Sequence, residues 1–500
     1  MTRCYRLLGT LACFAAACSS GSGGRAGMAC ESGAECDGLA CLAAPDLNAE
    51  DLAPLALTCS SERQGRAAAE SCERSSQCAT GICVLAGTCV EPCSDHSDCA
   101  KLQRCQAVYA RGEGGRLHGV SACVAMVNLP NSASIGVGTR ANAFSGGNDT
   151  LSLRGAKQPA LFVIEHLDDD TWPIPSPDTT CRPPVCARTL APMDKDALWF
   201  DSEALGDPAG PINPVAIGDH VYPLTVLIPN GPRAAPSEAG YRLTVETKRA
   251  GDARITELSG EPGAGRLDLN LYYVGAEEFD DAGDAIPATI AGALEEVDRI
   301  FEPAGVFVGD LRQVHVTGGL LERGSELPDA EVSRGFANIV QQYRVYPQLP
   351  ELFKLSAGAG NPAFDVFFVG DIDAQGEANV GAITGATPLP WGMHGTGASG
   401  IAIAANPVTG DPVQLGRTLA HELGHAFGLF HTTEVNGDVI DPLPDTPVCD
   451  RSRDQDETGL DAEDCEGAGA DNLMFPTTNA SASKLTEDQA AVIRSAMILQ

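Results

Sequence analysis

The chain is poor in histidine, in positive charge and in long apolar runs, and each shortage narrows what it can be. Nine histidines occur in 500 residues. Lysine and arginine number 33 against 67 aspartates and glutamates, for a formal net charge of -34. Nucleic acids and anionic lipid surfaces repel a chain of that sign, so neither is expected as a main partner. Beyond the N-terminal segment no apolar run is long enough to cross a bilayer. No close CxxC pair occurs among the 19 cysteines, which argues against a closed zinc module built on them. The length suits two or three domains, and 43% hydrophobic residues suffice for real cores.

The start of the chain reads as an export signal. Arg3 and Arg6 precede an apolar run, Leu7 to Ala17, that is too short to span a membrane stably. It runs into FAAACSSGSGG, where small residues before Cys18 resemble a bacterial lipobox, with Ala15 in the place of the usual leucine. On this reading residues 1–17 are a lipoprotein signal peptide, Cys18 is lipidated, and 18–29 form a linker. The membrane is then reached only through that anchor. An ordinary signal peptide cut nearby is the alternative. Either way the expected location is outside the cytoplasm, at a bacterial envelope as an outer-membrane lipoprotein or in the medium. Removing Cys4, Cys13 and Cys18 from the count leaves sixteen cysteines, an even number that suits disulfides in an oxidising compartment.

Twelve of those cysteines lie between Cys30 and Cys123, in three groups of four: Cys30, Cys36, Cys41, Cys59; Cys72, Cys78, Cys83, Cys89; and Cys93, Cys99, Cys105, Cys123. Five residues separate the first two cysteines of each group, which marks an internal repeat of small disulfide modules over residues 30–127. The pairing is open at this level. Such modules bind or space, and no chemistry is visible in them. Residues 128–264 carry short apolar runs such as ALFVIEHL and YRLTVET between proline, glycine and aspartate clusters. That pattern predicts a β-rich, sandwich-like domain, with Cys181 and Cys186 closing a small loop.

From residue 265 to 500 strands alternate with helices. LDLNLYYV, RQVHVTG, FDVFFVGD and SGIAIAAN read as strands; Pro287 to Phe301 and Glu331 to Tyr343 read as helices. The alternation implies an α/β layer on a largely parallel sheet.

Three of the nine histidines fall in AHELGHAFGLFH, Ala420 to His431. The helix that carries them has a clear beginning: Asp411 as N-cap, Pro412 in the first position, and Gln414 placed to close a capping box. His421 and His425 are four apart and share one face, so both imidazoles can reach one ion. His431 would point roughly 240° away on a continuing helix. Gly428 ends the helix, because glycine tolerates positive φ, and lets the chain bring the third imidazole back. Three histidine ligands predict a single catalytic zinc with a fourth position open to water. Glu422, about 100° round from His421, is placed to take a proton as general base while the metal polarises a carbonyl. The bland alternative is a degenerate site that keeps the fold and has lost catalysis.

HELGHAFGLFH resembles the HExxHxxGxxH signature of the metzincin zinc proteases. In that family a methionine turn packs beneath the metal, and DNLMFP offers Met474 for it. HTT after the helix, DTP at Asp445 to Pro447, DNLM and LTEDQAAVIR follow the order of landmarks in the pappalysin-like group. LMFP is similar to the matrixin turn, and Pro476 stands where some metzincins carry a tyrosine. GATPLPW resembles the family's edge strand, which implies that Gly385, Ala386 and Thr387 hold an extended protein or peptide substrate. The resemblance covers roughly Leu267 to Gln500 and implies an endopeptidase. The alternative is a surface-anchored binding lipoprotein with a non-catalytic protease-like domain. The acidic loop Glu434 to Asp471 predicts a Cys449–Cys465 disulfide. Asp438, Asp441 and Asp445 can supply oxygen ligands to calcium, against the plainer reading of a solvated loop. Thr486 with Gln489 reads as the capping box of a last helix.

Overall fold

Segments too short to bury an apolar core are held by covalent links instead, and in the computed structural model the N-terminal region follows that rule. In each group of four cysteines the first pairs with the third and the second with the fourth. The links are Cys30–Cys41 and Cys36–Cys59, Cys72–Cys83 and Cys78–Cys89, and Cys93–Cys105 and Cys99–Cys123. The third group contains a hairpin, β1 (Gln103–Arg111) and β2 (Leu117–Ala125), with Cys105 directly across from Cys123. Cys449–Cys465 is also formed. This many disulfides suggest an extracellular or otherwise oxidising location. Among the described residues no helix is long and apolar enough to cross a membrane.

The structure describes most of residues 26–130, 250–276, 285–316, 349–374, 394–405, 411–437, 441–477 and 481–500, with strand segments between 133 and 247 and at 338–341 and 385–386. The expected signal segment, Cys18, Cys181, Thr387 and Asp438 lie outside what can be described, while Cys186 lies in the strand Val185–Pro192. In the middle region the strands form two antiparallel sheets. One runs in the order Ala133–Ser145, Ala250–Ser259, Ala160–His166, Leu224–Ile228, Ala216–Ile217; the other in the order Asn148–Leu153, Tyr241–Thr247, Val185–Pro192.

The C-terminal half is organised by one five-stranded sheet. Its strands are β3 (Arg266–Val274), β4 (Phe307–Val316), β5 (Phe364–Val369), β6 (Gly385–Ala386) and β7 (Ile401–Ala404), in the spatial order β4-β3-β5-β7-β6. The first four in that order run parallel, and β6 is an antiparallel edge. Successive side chains of a strand point to opposite faces, so each strand feeds two cores. Leu269, Leu271, Tyr273, Val366, Phe368, Ile401 and Ile403 enter one of them. Tyr272, Val274, Phe367, Val369, Ala402 and Ala404 enter the other. Every residue of β5 is buried, as a strand covered on both faces requires.

The first face is covered by α1 (Ala288–Phe301), α3 (Pro412–Ala426) and α4 (Glu487–Arg494), through residues such as Ile290, Val297, Leu419, Leu423 and Ile493. Among the described residues the second face has a short helix of its own, α2 (Leu349–Phe353). The disulfide modules complete it: Leu85, Tyr109 and Leu117 share a core with Phe353 and Phe367. Val84, Val90 and Val124 pack with Ala357 and Ala359. Asn128 Nδ2 donates to the carbonyls of Ala359 (3.3 Å) and Asn361 (2.7 Å). So the modules are part of the wall of the sheet.

One expected element differs. Glu331 to Tyr343 was predicted as a helix, but Asn338–Gln341 is a strand, paired in parallel with Asp371–Ala374. Its NIV core is β-branched in two of three places, and pairing of that kind overrides a helical spacing.

A polar chain crosses the second face. Asn361 Nδ2 donates to Asn270 Oδ1 (3.0 Å), Asn270 Nδ2 donates to Asp365 Oδ1 (2.8 Å), and the Gly395 N–H donates to Asp365 Oδ2 (2.6 Å). Burial pushes the Asp365 carboxyl up to about 7, against the opposing pull of those donors.

Two outcomes follow from this packing. Leu85→Ala removes a buried module side chain from the sheet's second core and should lower the stability of the oxidised full chain by about 2–5 kcal/mol, read from urea midpoints; an unchanged midpoint would detach the modules from the fold. For Asp365, the folded state keeps a proton between about pH 4 and 7 that the unfolded chain has released, so its contribution to stability falls as pH rises through that window. Asp365→Asn should therefore gain stability relative to the parent between about pH 4.5 and about pH 7.5, whatever constant offset the lost acceptor introduces.

Candidate metal centre

The helix that carries the histidines is fixed at both ends by its own sequence. At its start Asp411 Oδ1 accepts from the N–H groups of Val413 (3.0 Å) and Gln414 (3.1 Å), and Pro412 occupies the first turn. Along its length Leu415, Leu419, Leu423 and Ala426 face the core. Glu296 of α1, almost buried, accepts from Arg299 and from Arg417 Nε (3.2 Å), which clamps α1 to α3 one turn before His421. Arg299 first, then Arg417, hold the Glu296 carboxyl below its ordinary range.

At its end Gly428 has φ +99°, a conformation that a side chain strains. The Gly428 N–H donates to His425 O (2.8 Å) and the Leu429 N–H to Gly424 O (2.9 Å). This pair of bonds is a Schellman termination. It reverses the chain so that His431 returns to the first two imidazoles. The other glycine of the motif has a different task. A Cβ on Gly424 would stand 2.5 Å from Met474 Sδ, so the bare backbone here lets the methionine lie against the helix. Met474 is wholly buried.

The three imidazoles meet. One ring nitrogen from each of His421, His425 and His431 lies within 4.8 Å of the others. His425 Nε2 and His431 Nε2 are 3.1 Å apart. Each outer nitrogen is engaged elsewhere. His421 Nδ1 donates to Leu473 O (2.7 Å), His425 Nδ1 to Leu429 O (2.9 Å), and His431 Nδ1 to Glu434 Oε1 (3.1 Å). Because those acceptors hold the proton on Nδ1, each neutral ring is left with a bare lone pair on Nε2. The short Nε2–Nε2 approach is therefore a meeting of two acceptors. Three converging lone pairs repel unless a cation lies between them. Nitrogens at roughly 2.0–2.1 Å from one tetrahedral ion lie about 3.3 Å apart, close to the 3.1 Å between His425 Nε2 and His431 Nε2. The residues fit a zinc-type ion. Burial, with the neighbouring His431 second, pushes His421 down to about 4 and drives His425 well below its ordinary value, so both favour the neutral form that binds metal.

Glu422 sits on α3 beside His421 and is 8% exposed. The edge strand β6 pairs with β7 in the register Gly385↔Ile403 and Ala386↔Ala402, and it borders α3. Of the residues considered for calcium, Asp445 turns both oxygens to α4, accepting from Thr486 Oγ1 (2.9 Å) and from the Asp488 N–H (2.9 Å). Asp441 is buried, accepts from the Leu443 N–H, and burial pushes it up to about 7. Among the described residues, the histidine trio is the only grouping of potential ligands apart from disulfide-bonded cysteines.

Two supports are invisible to a motif reading. Asn472 Oδ1 accepts from the Met474 N–H (2.8 Å), which shapes the methionine turn. Its side-chain amide exchanges two hydrogen bonds with that of Gln489 (2.8 and 3.1 Å). Gln489 is also the capping-box residue of α4. Glu434 is the other, and its only sequence sign is a carboxylate three places after His431.

No family model and no curated protein matches the chain. Among solved structures, a family two carbohydrate esterase from Cellvibrio japonicus aligns at 10% identity over 50% of this chain and 81% of that one, with a TM-score of 0.11, too low to support any argument.

Asn472→Ala strips two hydrogen bonds from the buried Gln489 amide, whose Oε1 keeps the Thr486 N–H, and frees the turn that bears Leu473 O. It should cost about 1–3 kcal/mol in urea unfolding and lower the zinc retained after dialysis; full zinc retention would uncouple the turn from the histidines.

Proposed function

We propose that the chain is an exported zinc metalloendopeptidase of metzincin type, nearest in its landmarks to the pappalysin-like group, with a matrixin-like methionine turn as the second choice. One observation carries the reading: three imidazole lone pairs aimed at one point, with Glu422 beside the first of them on the same helix. His421, His425 and His431 would hold the ion. A zinc ion bound there supplies Lewis acidity toward water and toward the carbonyl of a peptide bond. Glu422 takes the proton released as water attacks, and then delivers it to the leaving amine. Its near-complete burial limits competing solvation of the carboxylate. Met474 gives the ligands an apolar floor and contributes no donor.

Substrate binding is assigned to Gly385, Ala386 and Thr387. A sheet edge accepts an extended peptide through main-chain hydrogen bonds, and side chains of alternate residues then reach pockets on one face. In this reading residues 265–500 are the catalytic domain. Residues 128–264 form a sandwich-like domain and 30–127 the disulfide modules. A lipid on Cys18 ties the whole to a bacterial envelope. The substrate is protein or peptide.

Hydrolysis of a quenched-peptide library by wild type and by Glu422→Gln, with the zinc content of both samples, tests the proposal. The variant should retain zinc and lose about 10²- to 10⁴-fold in kcat. Equal cleavage by both proteins removes Glu422 from the reaction. A zinc-loaded wild type that binds peptides and cleaves none of them replaces the enzyme by a surface-anchored binding lipoprotein.

A further inference from the structure

His431 differs from the other two histidines in what holds it. The outer nitrogens of His421 and His425 donate to backbone carbonyls, those of Leu473 and Leu429. Both imidazoles also rise from α3, whose backbone fixes where they start. His431 lies beyond the end of that helix. The backbone after it is pinned, by the Thr432 N–H on Met474 O (2.9 Å) and by Thr433 Oγ1 on Cys449 O (2.8 Å). The ring itself has one partner on its outer nitrogen, Glu434 Oε1, at 3.1 Å. That partner is a carboxylate, about half exposed, and the other two are neutral.

We propose that Glu434 is the positioning residue of this metal site: it fixes the rotation and tautomer of His431 and lends the ligand set a negative charge from outside the coordination shell. The inference rests on the metal reading given above. Three neutral imidazoles bring no charge to offset a divalent ion. A carboxylate on the outer N–H of a ligand makes its inner nitrogen more basic and holds the ring in the productive tautomer, and loss of such a partner typically costs 10- to 100-fold in metal affinity. A carbonyl supplies the second effect and little of the first. Glu434 therefore acts on metal retention through His431, without touching substrate. It also ties the site to the acidic disulfide loop, because the next residue, Val435, accepts the Leu460 N–H at its carbonyl (2.7 Å).

The test measures zinc affinity of the full chain by competition with a chromogenic chelator, for wild type, Glu434→Gln and Glu434→Ala, with His425→Ala as a ligand control. Glutamine keeps an acceptor and removes the charge; alanine removes both. The expected order of affinity is wild type, then glutamine, then alanine, with alanine weaker than wild type by about 10- to 100-fold. Metal-free thermal unfolding should be alike in wild type and both Glu434 variants, which separates this effect from general damage to the fold. Wild-type affinity in both variants overturns the assignment of Glu434 and leaves the metal site standing. Loss of affinity matched by an equal loss of metal-free stability also overturns it, in favour of a structural role. A wild type that takes up no more zinc than His425→Ala overturns the metal reading itself, and this inference with it.

Discussion

The centre depends on one arrangement: three ring nitrogens that repel each other are forced together because their opposite nitrogens are held from outside. Leu473 O, Leu429 O and Glu434 Oε1 each accept a hydrogen bond from an Nδ1–H and so decide which nitrogen of each ring is bare. Two of those acceptors sit on turns. The Schellman turn at Gly428 provides Leu429, and the methionine turn provides Leu473. The second turn is held in its own right by Asn472, Asn472 by Gln489, and Gln489 by its place in the cap of α4. Asp445 holds the same cap from the long loop. A chain of short polar contacts thus runs from the last helix to the first histidine.

The sheet supplies the frame for this chain of contacts, and its two faces are built differently. Helices cover one face, with α3 against β7. On the other face the described residues offer the five-residue helix α2, and the disulfide modules fill it with Leu85, Tyr109 and Leu117. A parallel sheet must be covered on both sides. Here the second cover comes from the disulfide modules, whose own cluster also takes in Ala357 and Ala359 from beside the sheet.

Much of this was legible from local chemistry. Helix starts, strand runs and the helix stop at Gly428 are each set by neighbours within a few residues. Asp411, Pro412 and Gly428 behave as their side chains dictate, and FDVFFV buries all six residues as a two-sided strand does. The rest depends on contacts across long separations. Nothing local tells Leu85 that Phe367 lies opposite it. Nothing in DNLM announces that Asn472 pairs with Gln489. NIVQ reads as part of a helix until Asp371–Ala374 is beside it. The cysteine spacing announced a repeat, and the interleaved pairing became visible only in three dimensions.

That interleaving has a consequence for a chain whose disulfides suggest an extracellular or otherwise oxidising location. Within one module the two links overlap along the sequence: Cys72–Cys83 begins before Cys78–Cys89 and ends inside it. Any single backbone cut between Cys72 and Cys89 falls within at least one closed loop. The same holds from Cys30 to Cys59 and from Cys93 to Cys123. Such a nick adds a chain end without freeing a fragment. A cut inside the second or third module therefore leaves Leu85, Tyr109 and Leu117, which line the sheet's second face, covalently in place.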